Sequence, residues 1–148
     1  EAEVTALAEK VEAVTFANDF DDARSAALLK DLEGKNFFTS IAVVDLEGKT
    51  LQATSAVVES EAKAWVAAFD DYDATVGKGV VVAGKHHDIH RFYAEQGLVY
   101  GRSIGAETGQ GVALAKAGKA VVIVTYVFPR LSSRMVPTVQ QAVAAALA

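Results

Sequence analysis

The chain has 148 residues, of which 51% are hydrophobic and 22% charged, and this composition is typical of one folded domain and excludes a mainly disordered protein. It contains no cysteine, which excludes disulfides and thiolate metal sites, and no apolar run approaches the ~20 residues that span a bilayer. The net charge of −5 hides a basic second half, residues 74–148 with eight bases against three acids, which favours an acidic partner, whereas the overall acidity argues against nucleic-acid binding.

The acidic start of the chain carries apolar residues at helical spacing. We therefore expect residues 1–18 to form an N-terminal extension with an amphipathic helix, and residues 19–148 to form a single domain. This start is unlike a signal peptide, and the chain lacks cysteine, so we expect a cytoplasmic protein. The helical stripe of the extension consists of Val4, Leu7, Val11 and Val14.

The first part of the domain predicts a helix followed by a hairpin. The helix begins at a cap provided by Asp21 or Asp22 and ends near Leu32. The strand formers of residues 37–44 and the alternating residues 50–54 flank a short glycine-containing turn, which predicts an antiparallel hairpin.

The second part of the domain predicts one more helix and then a strand meander. Helical spacing after Ser60 includes Trp65, which we expect to be a core residue because large aromatic side chains on an amphipathic stripe are usually buried. From Gly79 onward the pattern changes to period two, which predicts antiparallel strands. The strand of residues 120–127 is apolar almost throughout and must be covered on both faces.

A final amphipathic helix follows Ser132 and Ser133, which we expect to cap it, and Pro137 is tolerated because it lies near the first turn. The order of elements predicts an α+β fold with a central antiparallel sheet of about six or seven strands. We expect the N- and C-terminal helices to flank this sheet and to cover one of its faces.

A histidine cluster in the meander offers the strongest hint of chemistry. Strand alternation places His86, Asp88 and His90 on one face and His87 on the other, so these residues are better explained as turn and strand residues than as metal ligands. The glycines between the strands lack the following helix of a phosphate-binding loop, and no serine has the context of a hydrolase nucleophile. We expect no metal, no cofactor and no enzymatic activity.

Residues 111–129, GVALAKAGKAVVIVTYVFP, resemble the penultimate hairpin and final strand of profilins. Residues 40–53 resemble the first hairpin of that family, residues 79–91 resemble its strand, turn and strand ending in Ile-Arg, and the last helix falls where theirs does. The resemblance covers residues 20–148 approximately. It implies the profilin fold and a cytoskeletal protein that binds monomeric actin and regulates actin polymerisation.

The chain departs from profilins of animals and plants in two features. It has the extension of residues 1–18, and it lacks the aromatic groove that holds proline-rich peptides, since Leu51 stands where the family has a Trp and the last helix has no aromatic residue. These features resemble the profilins of the archaea related to eukaryotes, and we expect binding of proline-rich peptides to be weak or absent. The residues left to contact such a peptide are Phe16, Phe20, Phe37, Phe38 and Leu51.

The actin-facing surface of the family comprises the third helix, the meander strands and the start of the last helix. Carried over by position, the actin-binding residues of this chain are Arg91, Arg102, Ser133, Arg134, Thr138 and Gln141. The resemblance also implies phosphoinositides as a further partner of the basic half. We expect the acidic extension to modulate binding to this half.

Two other classes of protein share parts of this pattern. A roadblock or longin domain that serves as a scaffold for small GTPases also combines helices with an antiparallel meander, and it would form a homodimer. A small-ligand sensor would need a pocket between sheet and helix, and the sequence shows no convergent polar set to line one. The profilin hypothesis predicts a monomer.

Overall fold

The computed structural model describes residues 16–103, 110–127 and 130–148. The helix predicted in the extension lies outside these residues. The helices are α1 (Asp22–Gly34), α2 (Glu59–Ala67), α3 (Tyr72–Lys78) and α4 (Ser132–Ala146), with a 3-10 turn at Ala94–Gln96. The strands are β1 (Ser40–Asp45), β2 (Thr50–Ala53), β3 (Val80–Val82), β4 (Lys85–Tyr93), β5 (Leu98–Ser103), β6 (Gly111–Ala117) and β7 (Ala120–Tyr126).

The strands form one antiparallel sheet of seven in the order β2-β1-β7-β6-β5-β4-β3. Strands β3 to β7 are each beside their neighbour in sequence, as expected of a meander. The exception is the pairing of β1 with β7, which runs from Ser40 opposite Thr125 to Asp45 opposite Ala120. This pairing joins the first hairpin to the meander, and it confirms the predicted α+β fold with its antiparallel sheet.

Strand β7 lies at the centre of the sheet and is covered on both faces, as its apolar sequence predicts. Val122, Val124 and Tyr126 face one core cluster, which contains buried residues of α1 and α4. Val121 and Ile123 face the other cluster, which contains Trp65 and other residues of α2. The terminal helices thus cover one face of the sheet and α2 covers the other.

Helix α3 was not predicted from the sequence. It has seven residues with a threonine and a glycine among them, so it presents no apolar stripe long enough to be recognised. Two polar contacts hold it instead: the Asp71 carboxylate accepts a hydrogen bond from the Ala74 amide, and the Thr75 hydroxyl donates to the Ala68 carbonyl at 2.7 Å. The buried Thr75 hydroxyl therefore fixes α3 to the end of the preceding helix.

The start of α4 differs from the prediction. Leu131 occupies the N-cap position, with no side-chain cap, and Ser132 already belongs to the helix. Ser132 follows the N-cap position, and its hydroxyl is hydrogen-bonded to the Tyr126 hydroxyl at 2.6 Å. Pro137 is the sixth residue of α4 rather than a first-turn residue, and it lies on the exposed side of the helix.

The segment before α1 is attached to the domain by backbone and side-chain hydrogen bonds. The Asn18 amide donates to the Leu147 carbonyl at 3.0 Å, and its side chain donates to the Ala148 carbonyl at 2.7 Å. The Asp19 carboxylate accepts from the Lys119 amide at 2.9 Å in the turn between β6 and β7. The start of α1 therefore lies beside the end of α4, and the boundary predicted at residue 18 stays a prediction.

The histidines of β4 have the face pattern that alternation predicts. His87 is buried, while His86 and His90 are exposed. A ring nitrogen of His86 contacts the Lys78 carbonyl at 2.6 Å. Within the described ranges, no group of three His, Cys, Asp or Glu residues could hold a metal ion, and no helix is long and apolar enough to cross a membrane.

Candidate functional site

One face of the sheet is left partly uncovered at the β4 side. Helix α4 packs mainly over β6 and reaches β5, whereas β4 lies on the far side of β5, next to the short edge strand β3. A β-bulge at His90 places Arg91 opposite Tyr100 of β5, and alternation puts Tyr93 and Arg102 on the same side. We call Arg91, Tyr93, Tyr100 and Arg102 the open face.

The open face combines aromatic rings with an exposed arginine. The rings of Tyr93 and Tyr100 lie with centroids 6.3 Å apart. Tyr100 is half-buried, and burial raises the pKa of its hydroxyl. Arg91 is exposed, and its guanidinium donates to the carbonyl of its neighbour His90 at 2.9 Å. Tyrosine and arginine are the residue types that most often anchor protein interfaces.

Arg102 connects the open face to the start of α4. Its Nη2 donates to the Arg130 carbonyl at 2.9 Å, and its guanidinium lies 5.8 Å from the centroid of the Tyr126 ring. Tyr126 is fully buried, which raises the pKa of its hydroxyl, and this hydroxyl contacts Ser132. Arg102 is therefore both a surface residue and a link between β5 and the segment that leads into α4.

A groove of ≈ 380 Å³ lies beside the first turns of α4. The Arg130 guanidinium covers the Phe37 ring at 4.7 Å from its centroid, and the Thr138 hydroxyl donates to the Arg134 carbonyl at 2.9 Å. We call this groove the arginine notch, and its lining residues are Phe37, Arg130, Leu131, Arg134, Met135 and Thr138.

Helical periodicity divides the predicted residues of α4 between two flanks. One flank carries Arg134, Thr138 and Gln141, which follow one another at spacings of four and three residues. Arg134 and Thr138 line the arginine notch. Ser133 is rotated by about 100° from Arg134 and shares the other flank with Gln140, which lines a groove of ≈ 310 Å³ beside the ends of β5 and β6. The predicted set thus does not form a single patch on α4.

Comparison with known proteins gives the chain a family. The sequence model of the family described as Profilin matches residues 23–147, which is most of the chain. The chain belongs to the profilin family. A search of curated proteins finds no significant match.

Solved profilin structures have the same fold. Acanthamoeba castellanii profilin II has 23% identity and a TM-score of 0.66, with 83% of this chain and 92% of that chain covered. A complex of LokiProfilin1 with rabbit actin has 13% identity and a TM-score of 0.64, covering 85% of this chain and 95% of that chain. Mouse profilin IIa, in complex with a double repeat from the FH1 domain of mDia1, has 15% identity and a TM-score of 0.63, with 80% of this chain and 89% of that chain covered. These likenesses show the fold.

The residues predicted to contact proline-rich peptides do not converge in this profilin. Phe16 and Phe20 belong to the segment attached at the end of α4, and Phe16 lines the groove beside β5 and β6. Phe37 and Phe38 lie at the start of α4. The two ends of this helix are about 20 Å apart, so these two rings are far from Phe16 and Phe20. Leu51, on the outer strand β2, packs against the core cluster that contains the α1 residues. The four rings therefore form two separate sites.

Sequence reasoning missed two features, one on each face of the sheet. On α3, Tyr72 is 58% exposed and meets the Phe92 ring edge-on at 5.3 Å, with Val76 exposed one turn later. Arg130 was missed because its partner Phe37 is distant in sequence. The one usable signal was Asp71, an N-cap residue before a segment that otherwise lacks helical periodicity.

Proposed function

We propose that this profilin binds monomeric actin and regulates its polymerisation, without enzymatic activity. The observation that carries the proposal is the open face, where Arg91 and Arg102 lie beside two tyrosines and near the start of α4. The fold shared with LokiProfilin1, whose structure was solved with rabbit actin, supports it. Such a protein acts in the cytoplasm at the cytoskeleton. The family match gives no support to the roadblock, longin or sensor hypotheses.

The open face carries two arginines, Arg91 and Arg102, with one carboxylate, Asp88, opposite Arg102 in the register of β4 and β5. Arg91 has no carboxylate within ion-pair distance among the described residues, where the ion pairs are Arg24 with Asp21, Lys35 with Asp31 and Lys63 with Glu59. A guanidinium whose internal partner is a carbonyl rather than a carboxylate is available for a charge-assisted contact with a carboxylate of another protein. An actin monomer is acidic, so this contact would also favour encounter.

The test is a titration with monomeric actin from a cognate and a eukaryotic source. We expect micromolar binding by the wild-type protein and about tenfold weaker binding by Arg91→Glu, because repulsion replaces a charge-assisted contact. Lys49→Glu is the matched control: it makes the same charge change in the exposed β1–β2 turn, at the opposite edge of the sheet. No wild-type binding at tens of micromolar with either actin would overturn the proposal.

We further propose that proline-rich peptides bind this profilin weakly. The complex of mouse profilin IIa with an FH1 repeat supports peptides as a partner class, but the separation of the phenylalanine rings by the length of α4 supports low affinity. A polyproline ridge needs aromatic rings side by side in one groove. Titration with a proline-rich peptide, followed residue by residue by NMR, should show millimolar affinity. Micromolar affinity would contradict this proposal.

A further inference from the structure

The arginine notch has the chemistry of a binding site rather than of a folding contact. Half of its lining is apolar, with Phe37, Leu131 and Met135, and Leu131 is 51% exposed although it is a large apolar residue. Of the described residues that line it, Arg130 and Arg134 are charged and none is acidic. Ligand sites are typically concave and combine apolar walls with a few convergent polar groups, and the notch has both.

The two arginines of the notch have no acidic partner within the part of the chain that the structure describes. Among the described residues, neither Arg130 nor Arg134 lies within ion-pair distance of a carboxylate. Arg130 is nevertheless held in place, since its guanidinium covers Phe37 and its carbonyl accepts a hydrogen bond from Arg102. The notch therefore has two available positive charges, at least one of them on a fixed side chain.

We propose that the arginine notch binds an acidic peptide segment that carries a bulky apolar side chain. The carboxylates would pair with Arg130 and Arg134, and the apolar side chain would cover Leu131 and Met135. A bare phosphate would leave the apolar half of the lining exposed. A polyproline segment is disfavoured because Arg130 already occupies the Phe37 ring face on which a proline would stack.

This inference deepens the proposed function, and rests on it, because Arg134 and Thr138 also belong to the predicted actin surface. It specifies which part of the partner the start of α4 recognises: an exposed acidic stretch with an apolar residue. Arg91 and the notch then make separate contacts with one partner.

The test uses the full chain and three acetylated pentapeptides, observed by NMR. The first peptide has Phe between two pairs of Glu, the second replaces Glu by Gln, and the third replaces Phe by Ala. We expect the first to shift the signals of Leu131, Met135 and Thr138, and the other two to bind about tenfold more weakly. Arg130→Gln and Arg134→Gln should each weaken binding of the first peptide to a similar degree, whereas Lys49→Gln, in the exposed β1–β2 turn, should not.

Several results would overturn the inference. They are equal binding of the Glu and Gln peptides, shifts confined to residues outside the notch, and no shift at millimolar peptide. Phosphoinositide vesicles that shift the notch signals when the peptide does not would also overturn it, in favour of a phosphate site. Actin titrations in parallel separate the two proposals. If actin binds but no peptide shifts the notch signals, only the notch proposal is wrong. If the first peptide binds at the notch but actin does not bind, only the actin proposal is wrong.

Discussion

His87 of β4 is a fully buried histidine whose two ring nitrogens have different partners. Nδ1 lies 3.2 Å from the Val80 carbonyl and so carries the proton, while Nε2 lies 3.0 Å from the Gln110 side-chain nitrogen and accepts from it. The contact with Gln110 requires the neutral ring, because a protonated Nε2 cannot accept a hydrogen bond. Burial lowers the pKa of His87, and the charged groups nearby are Lys85 and His86, which also disfavour protonation.

We therefore predict that acid destabilises the fold through His87. The pKa of His87 in the folded state is below its unfolded value of about 6.5. The stabilisation that the neutral ring contributes is therefore complete above about pH 6.5 and is lost as the pH falls through the folded-state pKa. The free energy of unfolding should fall by up to about 1.4 kcal/mol per pH unit in this range. Urea unfolding from pH 8 to 5 measures it. His87→Gln should remove most of this slope and the exposed control His90→Gln should keep it; an unchanged slope in His87→Gln contradicts the prediction.

Residue faces were predictable where alternation alone decides them, but residue partners were not. The opposite burial of His87 and His86 follows from the period of two in a strand. The contact of Arg130 with Phe37 does not, because it joins residues far apart in sequence whose distance is set by the packing of α1 and α4. The same holds for Ser132, which the sequence indicated as a cap and the structure uses as the partner of Tyr126.

At the scale of elements, α4 begins without a capping side chain. Leu131 has the extended backbone of an N-cap, and its carbonyl accepts from the amides of Arg134 and Met135, but its side chain offers no acceptor. A leucine here leaves first-turn amides without a side-chain partner. The exposed leucine side chain instead lines the arginine notch, which suggests that this helix end serves binding at the expense of stability.

We predict that Leu131→Ser stabilises the protein and weakens the notch. A serine at an N-cap typically adds about 1 kcal/mol to the free energy of unfolding, which thermal or urea unfolding measures. The same variant should bind the pentapeptide with Phe between two pairs of Glu several-fold more weakly, because the substitution removes apolar contact area. Leu46→Ser, at an exposed leucine in the β1–β2 turn, is the control and should not affect peptide binding. Lower stability of Leu131→Ser would contradict the capping argument.

The elements themselves were predictable in proportion to the length of their pattern. Strand β7 and helix α4 have long apolar patterns, and both were expected. Helix α3 has only seven residues and is fixed by the Thr75 hydroxyl and the Asp71 cap, so the sequence offered no periodicity to detect. Its exposed Tyr72 was therefore missing from the predicted site, although it lies against Phe92 of β4.

At the scale of the whole molecule, one non-local pairing organises the predicted surfaces. The pairing of β1 with β7 puts the hairpin on the side of the sheet away from β4, so the open face and the turn at Lys49 lie towards opposite edges. All four arginines of the open face and the notch belong to residues 74–148, which carry a net charge of +5. The sequence shows that the first half of the chain is acidic, but it does not show which surface of the domain that negative charge can reach.

Residues 1–15 contain four glutamates and one lysine, net −3, and this charge opposes encounter with an acidic partner. We predict that deleting them raises the association rate with monomeric actin several-fold at low salt, and that the difference disappears at high salt, where exposed charges are screened. The fold should persist because Asn18 and Asp19 keep their hydrogen bonds to Leu147, Ala148 and Lys119. Stopped-flow mixing at two ionic strengths measures the rates. A full-length variant with the four glutamates changed to Gln should match the deletion, and a deletion that alters the rate equally at both ionic strengths would show that the segment acts by contact rather than by charge.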